Sequence, residues 1–538
     1  MKYIHIIIAL STAAVLTGSA QGITESDRLS CTSIMVGKKA SADGSVITSH
    51  TCDSWYRTWM QWVPAADYKN DTVMTIYDGL MHTENPQSMQ NVKVKGTIPQ
   101  VKHTYRFLNT AYPCLNEKQL AMGETTISGR DTLRNKNGMF MIEELQRVAL
   151  QRCTKARDAI RLIGNLIKEY GYGYADGGEC LTIADTEEVW IFEVFGEGPQ
   201  KIGGVWAAVR IPDDEIAVSA NVTRIGRLDT LDKDNYMASE NVESVAKKLK
   251  LWDGKEPFCF WKAYSGGNYT GEKKNFSVRE WYIMDQLAPS KHFSEDAEEL
   301  PLSVKPDKKV SLKDLARLFG SYYEGTDKDY TQRLCVPNTK KEKVGDSIPA
   351  KIVSPIANPW MKKDEQALYA ALGDSTFKKW MRYIAVPQCA YSTIIQLRSG
   401  LPDEIGGVAW IALDNPGESP RFPVFCGSTQ LPKLLEICGN HAYREDAALW
   451  HFRQTNKLAT IRWGSCRKTL EPARDYFLKK GLRELPYVES TYKDVLSREG
   501  AKEAANYLNG YTADFIGAEI LKWDELYRTY WRQFWSGF

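Results

Sequence analysis

The sequence from residue 31 to residue 53 contains two short apolar stretches separated by a turn, and this pattern constrains the fold most strongly. The first stretch reads CTSIMVGKK and the second VITSHTCD, and the segment ASADGS near their junction contains Asp43-Gly44. An Asp-Gly pair between apolar stretches is a strong signal for a β-hairpin. The segment therefore predicts strand, turn and strand immediately after Cys31.

The rest of the chain mixes strand-like and helical patterns. Strand-like segments occur at 181–196, 203–221 and 406–416, and the first of them predicts a second hairpin. The segments MFMIEELQRVALQRC and KARDAIRLIGNLIKEYG place apolar residues at helical spacing and predict a pair of helices. Residues from about His441 onward are mostly helical in pattern. Segments 67–105, 290–309 and 339–357 are polar and predict long loops that act as lids or insertions.

The N-terminus has the pattern of a secretory signal. Lys2 precedes an apolar run at 4–16, and small residues follow at 17–20. This predicts a signal peptide over 1–20, cleaved after about Ala20. The run is too short to cross a hydrocarbon layer of about 30 Å, and no later segment is long and apolar enough to do so. We therefore expect an exported protein, periplasmic or secreted, with no stable membrane insertion.

Composition excludes some classes of partner. The 538 residues carry a net charge of +2 without a basic block, which argues against nucleic-acid binding. The 16 Trp and 27 Tyr suit core packing, and also carbohydrate or peptide recognition. Eleven Cys in a chain of this length are too few for a disulfide scaffold. No CxxC, HExxH or Cys/His cluster stands out, so we expect no protein-bound zinc or other metal.

Cys31 has three interpretations, namely a half-cystine, a lipid anchor and a catalytic nucleophile. The polar segment 21–30, which includes Glu25, Asp27 and Arg28, separates Cys31 from the signal sequence and disfavours lipidation. As the first residue of a processed chain, Cys31 would combine a thiol nucleophile with an α-amine of pKa near 8 that can carry the proton. A buried or disulfide-bonded Cys is the ordinary alternative.

Several segments, in order along the chain, resemble a known enzyme family. They include CTSIMVGKKASADGS, NEKQLAMGETT, DGGECLTIADTEEVWIFEVFGEG, WAAVRIPDDEIAVSANVTRIG and STIIQLRSGLPDEIGGVAWIALDNP. They resemble the secreted and intracellular cysteine dipeptidases (dipeptidase A and secernin type) of the N-terminal-nucleophile (Ntn) hydrolase superfamily. Choloylglycine hydrolases and penicillin V acylases are related to this family. The resemblance extends from Cys31 to about Trp450.

The resemblance implies an α+β fold, a four-layer αββα sandwich. It implies a short propeptide at 21–30, a catalytic domain at 31–440 and a helical C-terminal region at 441–538 packed on that domain. It also implies roles for four residues. Cys31 would be the nucleophile, Asp53 would contact the N-terminal amine, Asn221 would stabilise the oxyanion, and Arg279 would lie in the active site. For Asp53 and Asn221 the ordinary alternative is a turn residue, and for Arg279 it is a salt-bridged or exposed side chain.

Three further residues are expected near the substrate. His50 stands where the related amidohydrolases carry Arg, so the positive group beside the thiol is in doubt. A neutral imidazole would donate a hydrogen bond, whereas a charged one would lower the pKa of the thiol. In the segment GETT either Glu124 or Thr125 faces the cleft, and the sequence does not choose between them.

These observations predict a cysteine-type dipeptidase that forms a thioester on Cys31 after propeptide removal. It needs no cofactor and acts on small peptides, and assembly into a homo-oligomer is left open. One alternative is an amidohydrolase of the same superfamily acting on N-acyl amides such as bile salts or penicillin V. The other is a non-catalytic exported lipoprotein that binds peptide or glycan.

Overall fold

The computed structural model describes residues 31–173, 177–199, 201–265, 274–373 and 382–537. The predicted signal peptide and propeptide, and with them the Ser30–Cys31 bond, lie outside these ranges. The hairpin predicted after Cys31 is confirmed, because Ser33–Val36 pairs antiparallel with Val46–Asp53. Gly44 in the connecting turn has a φ of 77°, a left-handed conformation that glycine adopts at little cost.

The strands are numbered in chain order. They are β1 Ser33–Val36, β2 Val46–Asp53, β3 Gln61–Val63, β4 Ala66–Asp67, β5 Val73–Asp78, β6 Lys93–Pro99, β7 His103–Thr104, β8 Phe107–Asn109, β9 Leu115–Asn116, β10 Ala121–Ser128, β11 Gly177–Ala184, β12 Val189–Gly196, β13 Gly204–Ile211, β14 Ile216–Ser219, β15 Tyr236–Ala238, β16 Ser303–Val304, β17 Cys335–Pro337, β18 Lys351–Val353, β19 Cys389–Leu397, β20 Val408–Leu413 and β21 Phe422–Phe425.

The α-helices are numbered in the same way. They are α1 Ile142–Arg152, α2 Ala156–Tyr170, α3 Val242–Lys248, α4 Phe260–Tyr264, α5 Lys274–Leu287, α6 Leu312–Phe319, α7 Lys363–Ala371, α8 Asp403–Gly406, α9 Ala448–Ile461, α10 Trp463–Glu499 and α11 Ala501–Gln533.

Two large antiparallel sheets form the centre of the molecule. One has seven strands in the order β16-β14-β1-β2-β19-β20-β21, and the other has eight in the order β15-β13-β12-β11-β10-β9-β8-β3. The β11–β12 pair is the second predicted hairpin, with Leu181 opposite Phe192. All residues of β2, β10 to Ile127, β11, β12 and β19 are buried, which explains their continuous apolar and small-polar sequences.

The two sheets contact each other through β2 on one side and β10 and β11 on the other. The Thr48 and Thr182 hydroxyls are 2.6 Å apart across this contact. Gly123 lies at the closest approach, where a Cβ atom would collide with the Ser49 carbonyl oxygen. A larger residue at 123 would therefore push the sheets apart beside the ends of β1 and β2.

Helices cover both sheets. Helices α1 and α2 confirm the predicted helical pair, and α2 packs on β11, β12 and β13. The C-terminal helices α9, α10 and α11 confirm the predicted helical region and contact β20 and β21. Gly481 of α10 lies against the Trp410 ring, so the absence of a side chain there permits close packing of helix on sheet. The chain therefore has a mixed α+β fold.

The expectation of a loop over 67–105 is wrong in part, because β5 and β6 pair antiparallel within it. Alternating burial in β5, with Met74 and Ile76 buried, marks a strand whose one face packs on the protein. Within the described ranges, no helix is long and apolar enough to cross a membrane.

Candidate active site

Cys31 lies two residues before β1, at the end of the hairpin where β2 also finishes. Its side chain is buried. The adjacent backbone is held by a pair of hydrogen bonds to β2, since Thr32 N donates to Thr51 Oγ1 and Thr51 N donates to the Thr32 carbonyl oxygen, both at 2.9 Å. The nucleophile predicted from the sequence is therefore fixed at the end of a buried central strand.

Arg279 connects Cys31 to Asn221. Its Nη1 donates to the Cys31 carbonyl oxygen at 2.8 Å and to Thr32 Oγ1 at 2.9 Å. Its Nη2 donates to the Ala220 carbonyl oxygen at 2.8 Å and to Asn221 Oδ1 at 2.7 Å. Burial, together with the nearby Arg382, lowers the pKa of Arg279 to about 9, so the guanidinium remains charged at neutral pH.

Asn221 follows β14 in the left-handed backbone region, with a φ of 65°. Asparagine tolerates this conformation better than most residues with a side chain. Its Nδ2 donates to the Thr126 carbonyl oxygen at 2.7 Å, and its Oδ1 accepts from Arg279. Hydrogen bonds at both the nitrogen and the oxygen therefore fix the orientation of the Asn221 amide. A fixed orientation is what an oxyanion donor requires.

Asp53, the last residue of β2, forms a buried ion pair with Arg382. Arg382 Nη2 donates to Asp53 Oδ2 at 2.6 Å, and Thr51 Oγ1 donates to the same oxygen at 2.9 Å. The other oxygen, Oδ1, makes no hydrogen bond within the described part of the chain. One carboxylate oxygen is thus held in place while the second remains available to another donor.

His50 is neutral in this environment. Burial lowers its pKa to about 3, and its ring stacks on Tyr391 with 5.9 Å between ring centroids. The Glu124 backbone N–H donates to His50 Nδ1 at 3.0 Å, so the proton of the neutral ring is on Nε2. Nε2 has no hydrogen-bond partner within the described ranges. His50 is therefore a neutral donor, and it does not supply the positive charge that Arg provides in related enzymes.

Glu124 and Thr125 lie on opposite faces of β10, as successive residues of a strand do. Thr125 Oγ1 is 2.6 Å from Ser219 Oγ, whereas Glu124 forms a cluster with Cys31 and His50 in which the donor atoms are all within 4.8 Å of one another. Glu124 is thus the member of this pair beside the thiol.

Two more buried carboxyl groups, Glu179 and Glu143, accompany Glu124. Burial raises the pKa of Glu124 to about 7. Hydrogen bonds from Glu179, Thr126 and Cys31 lower this pKa and so offset part of the effect of burial. Burial and the negative charge of Glu124 raise the pKa of Glu179 well above its ordinary value, and burial beside Glu144 does the same for Glu143. Of the three carboxyl groups, Glu124 has the pKa that is raised least, so it is the one that ionises first as pH increases through about 7.

The Cys31 thiol is protonated as it stands. Burial, followed by the negative charges of Glu124 and Asp53, raises its pKa well above the ordinary value. A thiol in this environment needs a nearby base to become a nucleophile. The arrangement thus holds the sulfur in position but does not by itself ionise it.

Among the residues that the structure describes, two groups of side chains have the donor atoms of a metal site. One is Cys31, His50 and Glu124, and the other is Glu84, Cys438 and His441. The group of Cys31, His50 and Glu124 contains the candidate nucleophile and belongs to the candidate active site. The second lies apart from these residues.

The family model for peptidase family C69 matches residues 30–475. The chain belongs to peptidase family C69. The match spans all seven residues predicted for the site, from Cys31 to Arg279. By family, this protein is a peptidase.

Curated relatives of this chain are named as probable dipeptidases. The chain is 26% identical over 449 residues to a probable dipeptidase of Latilactobacillus sakei, covering 78% of this chain and 80% of the relative. It is 26% identical over 441 residues to a probable dipeptidase B of Streptococcus pyogenes serotype M1, and the match covers 77% of this chain and 75% of the relative. A probable dipeptidase of Salmonella dublin is 27% identical over 422 residues, covering 74% and 81%.

The candidate site also contains residues that the sequence analysis did not predict. Arg382 is separated from Asp53 by 329 positions, and no motif marks it. Glu179 and Glu143 did leave a signal, because each is a carboxylate within an apolar strand or helix face whose neighbours are buried. A charged residue in such a position is rarely buried without a partner or a function.

Proposed function

We propose that this C69 peptidase is a cysteine-type dipeptidase whose nucleophile is the thiol of Cys31, exposed as the first residue of the chain by removal of residues 21–30. The observation that carries the proposal is the Arg279 guanidinium, which is hydrogen-bonded to both Cys31 and Asn221. It holds the candidate nucleophile and the candidate oxyanion donor in one rigid unit. Support for dipeptides as substrates comes from the names of the relatives.

We further propose that the two sheets and their helices correspond to the four-layer αββα arrangement of Ntn hydrolases. The catalytic domain would be 31–440, with 441–538 as a helical region packed on it. Cys31 at the end of the central pair β1 and β2 supports this proposal, because an Ntn nucleophile begins a central strand. Oδ1 of Asp53, which makes no hydrogen bond to any residue that the structure describes, suits an α-ammonium as partner.

The chemistry follows from these positions. The α-amine of Cys31 accepts the thiol proton, and the sulfur attacks the peptide carbonyl carbon. The N–H of Asn221 Nδ2 that does not bond to Thr126, and the N–H of His50 Nε2, are the neutral donors for the resulting oxyanion. The α-ammonium then gives its proton to the departing nitrogen as the C–N bond breaks, leaving a thioester. Water, deprotonated by the same amine, attacks the thioester and releases the acid and the thiol.

Glu124 favours a dipeptide over an N-acyl amide as the substrate. A dipeptide carries a free ammonium next to the scissile carbonyl, whereas an N-acyl amide has an uncharged acyl chain there. A carboxylate beside the nucleophile would bind an ammonium and would be an unfavourable neighbour for an acyl chain. We therefore assign recognition of the substrate N-terminus to Glu124, with Glu179 protonated and donating to it.

The test is a panel of dipeptides and their N-acetylated counterparts, together with an N-acyl amide such as penicillin V. We expect hydrolysis of free dipeptides, loss of at least a hundredfold in kcat/KM on N-acetylation, and no turnover by Cys31→Ala. Turnover by a folded Cys31→Ala protein would refute the nucleophile, and preference for the acylated compounds would favour the amidohydrolase alternative.

We also propose export to the periplasm or the medium, with small peptides as the partners. The lipoprotein alternative makes a different prediction for the mature N-terminus. Mass spectrometry would find a diacylglyceryl group on Cys31 in that case, and an unmodified Cys31 α-amine in the hydrolase.

A further inference from the structure

We propose that Glu84, Cys438 and His441 form a binding site for a divalent transition metal of the zinc type, separate from the catalytic centre. The three side chains come from two segments distant in sequence, and their donor atoms all lie within 4.8 Å of one another. Cys438 Sγ is 3.7 Å from His441 Nδ1, and the same nitrogen is 2.6 Å from Glu84 Oε1. A thiol, an imidazole and a carboxylate thus converge on one point.

The orientation of His441 suits a ligand. Its Nε2 lies 3.1 Å from the Trp55 carbonyl oxygen, which can only accept a hydrogen bond, so Nε2 carries a proton. Nδ1, the atom that faces Cys438 and Glu84, lies 2.6 Å from Glu84 Oε1 and donates its own proton there, so a metal bound at Nδ1 would take the place of that proton. Metal-binding histidines are characteristically held in this way, with the other ring nitrogen donating to a carbonyl or carboxylate.

Hydrogen bonds hold the segment 438–441 against Glu84 and against the loop that follows β2, without the metal. Cys438 N donates to the Glu84 carbonyl oxygen at 2.8 Å, and Gly439 N donates to Thr58 Oγ1 at 3.0 Å. Asn440 Nδ2 donates to the carbonyl oxygens of Ser54 and Tyr56 at 2.9 and 2.8 Å. The donors are therefore positioned in advance, which lowers the entropic cost of assembling a site.

The donor set selects the metal. Thiolate and imidazole favour zinc and related ions over calcium and magnesium, which prefer oxygen ligands. Tetrahedral zinc bonds of about 2.3 Å to sulfur and 2.0 Å to nitrogen put those ligands roughly 3.5 Å apart, close to the 3.7 Å between Cys438 Sγ and His441 Nδ1. Glu84 Oε1 is 2.6 Å from the same nitrogen and would move outward when zinc binds, since tetrahedral nitrogen and oxygen ligands lie roughly 3.3 Å apart. Binding would release the thiol proton of Cys438 and the Nδ1 proton of His441 to solvent, and thiolate and carboxylate would balance the two positive charges of the ion. Glu84 is part-exposed, with 39% of its side chain accessible, so the site can be reached from solvent and a water can be the fourth ligand.

Such a metal would have a structural effect close to the proposed active site. Trp55 is two residues from Asp53, and its carbonyl oxygen accepts from His441. The site thus fastens the segment leading into the C-terminal helices to the loop that follows β2. We expect zinc to raise the thermal stability of the protein, since it binds the folded chain in preference to the unfolded one.

The experiment measures zinc binding to the chelator-treated full chain by dialysis and elemental analysis, in a Cys31→Ala background. That background removes the thiol of the other donor group from the count. We expect one equivalent of zinc, a higher melting temperature with zinc, and a thiolate charge-transfer band when cobalt(II) is substituted. Glu84→Gln and His441→Gln should weaken binding at least tenfold, and Cys438→Ser should abolish the cobalt band.

The matched control is Cys335→Ser, which removes an exposed thiol elsewhere and should change none of these results. Glu84→Gln is the variant least able to disturb folding, because the Glu84 side chain is part-exposed. Circular dichroism tests whether the Cys438 and His441 variants are folded. Binding well below one equivalent in the Cys31→Ala protein would overturn the proposal. So would equal affinity in the Glu84, Cys438 and His441 variants.

Discussion

Arg279 Nη2 donates a hydrogen bond to Asn221 Oδ1 over 2.7 Å, and both side chains are buried. Because this bond occupies the amide oxygen, the amide nitrogen is directed the other way, to the Thr126 carbonyl oxygen. The second guanidinium nitrogen holds the Cys31 carbonyl oxygen. The buried Arg279 side chain thus fixes the position of the Cys31 backbone, which carries the thiol. It also fixes the orientation of the Asn221 amide, which would stabilise the oxyanion.

Arg279→Lys should lower kcat by roughly tenfold to a hundredfold. Lysine keeps the charge but cannot make the two-pronged contact, and a lost hydrogen bond to a charged group costs about 1.5–3 kcal/mol. The change should fall on kcat more than on KM, because the residue positions other groups and does not contact the substrate. Steady-state kinetics and thermal unfolding measure both effects. An unchanged kcat in a folded protein would show that the Arg279 contacts are not needed for catalysis.

Asn221→Gly should lower kcat by about a hundredfold or more, the loss expected for an oxyanion donor. Glycine removes the amide yet accepts the left-handed backbone at 221. Asn221→Ala should show the same kinetic loss together with lower stability, since alanine is strained at this φ by roughly 1–2 kcal/mol. If only the alanine variant lost activity, the effect would belong to the backbone and Asn221 would not be an oxyanion donor.

Asp53→Asn should reduce both activity and stability. The change removes the Asp53 carboxylate from its buried ion pair with Arg382, and breaking a buried ion pair in this way typically costs about 3–5 kcal/mol. Denaturant unfolding and dipeptide turnover measure the two effects. Asp494→Asn is the matched control, because its pair with Arg498 is exposed and should contribute little. Similar stability losses in the two variants would contradict the assignment of a buried pair.

The pH dependence of activity should report Glu124. Its pKa is raised to about 7, so the carboxylate forms as pH increases through that value. Because an anionic Glu124 is needed to bind the substrate ammonium, KM should fall as pH rises toward 7. Above about pH 8 the substrate amine loses its proton and KM should rise again. Glu124→Gln should remove the acidic limb and raise KM for dipeptides. An intact limb in that variant would assign it to another group.

Local patterns were enough to predict much of the fold. The Asp43-Gly44 hairpin, the second hairpin, the helical pair and the C-terminal helices all depend on contacts between neighbouring residues, which sequence periodicity reports. The β5–β6 hairpin was missed because its polar exposed face resembles a loop. The order of strands in the sheets depends on long-range pairing, as with β2 and β19, and periodicity carries no such information.

In the candidate site, too, local sequence patterns predicted some features, and contacts between distant residues were missed. Cys31, His50 and Asp53 belong to one predicted hairpin, but the roles of His50 and Asp53, like those of Asn221 and Arg279, came from the resemblance. All five lie within one connected group of buried residues. Arg382 was missed because its contact with Asp53 is purely tertiary. The neutral state of His50 was one of two options from the sequence, and only its burial decides between them.

The most direct test of the account is the N-terminus of the active enzyme. Purified protein with dipeptidase activity should be examined by intact mass and N-terminal sequencing, and then labelled with a thiol-reactive substrate analogue. We predict a chain that begins at Cys31 with a free α-amine, and a single label on the Cys31 sulfur that abolishes turnover. Full activity in a chain that retains residues before Cys31 would contradict the central claim.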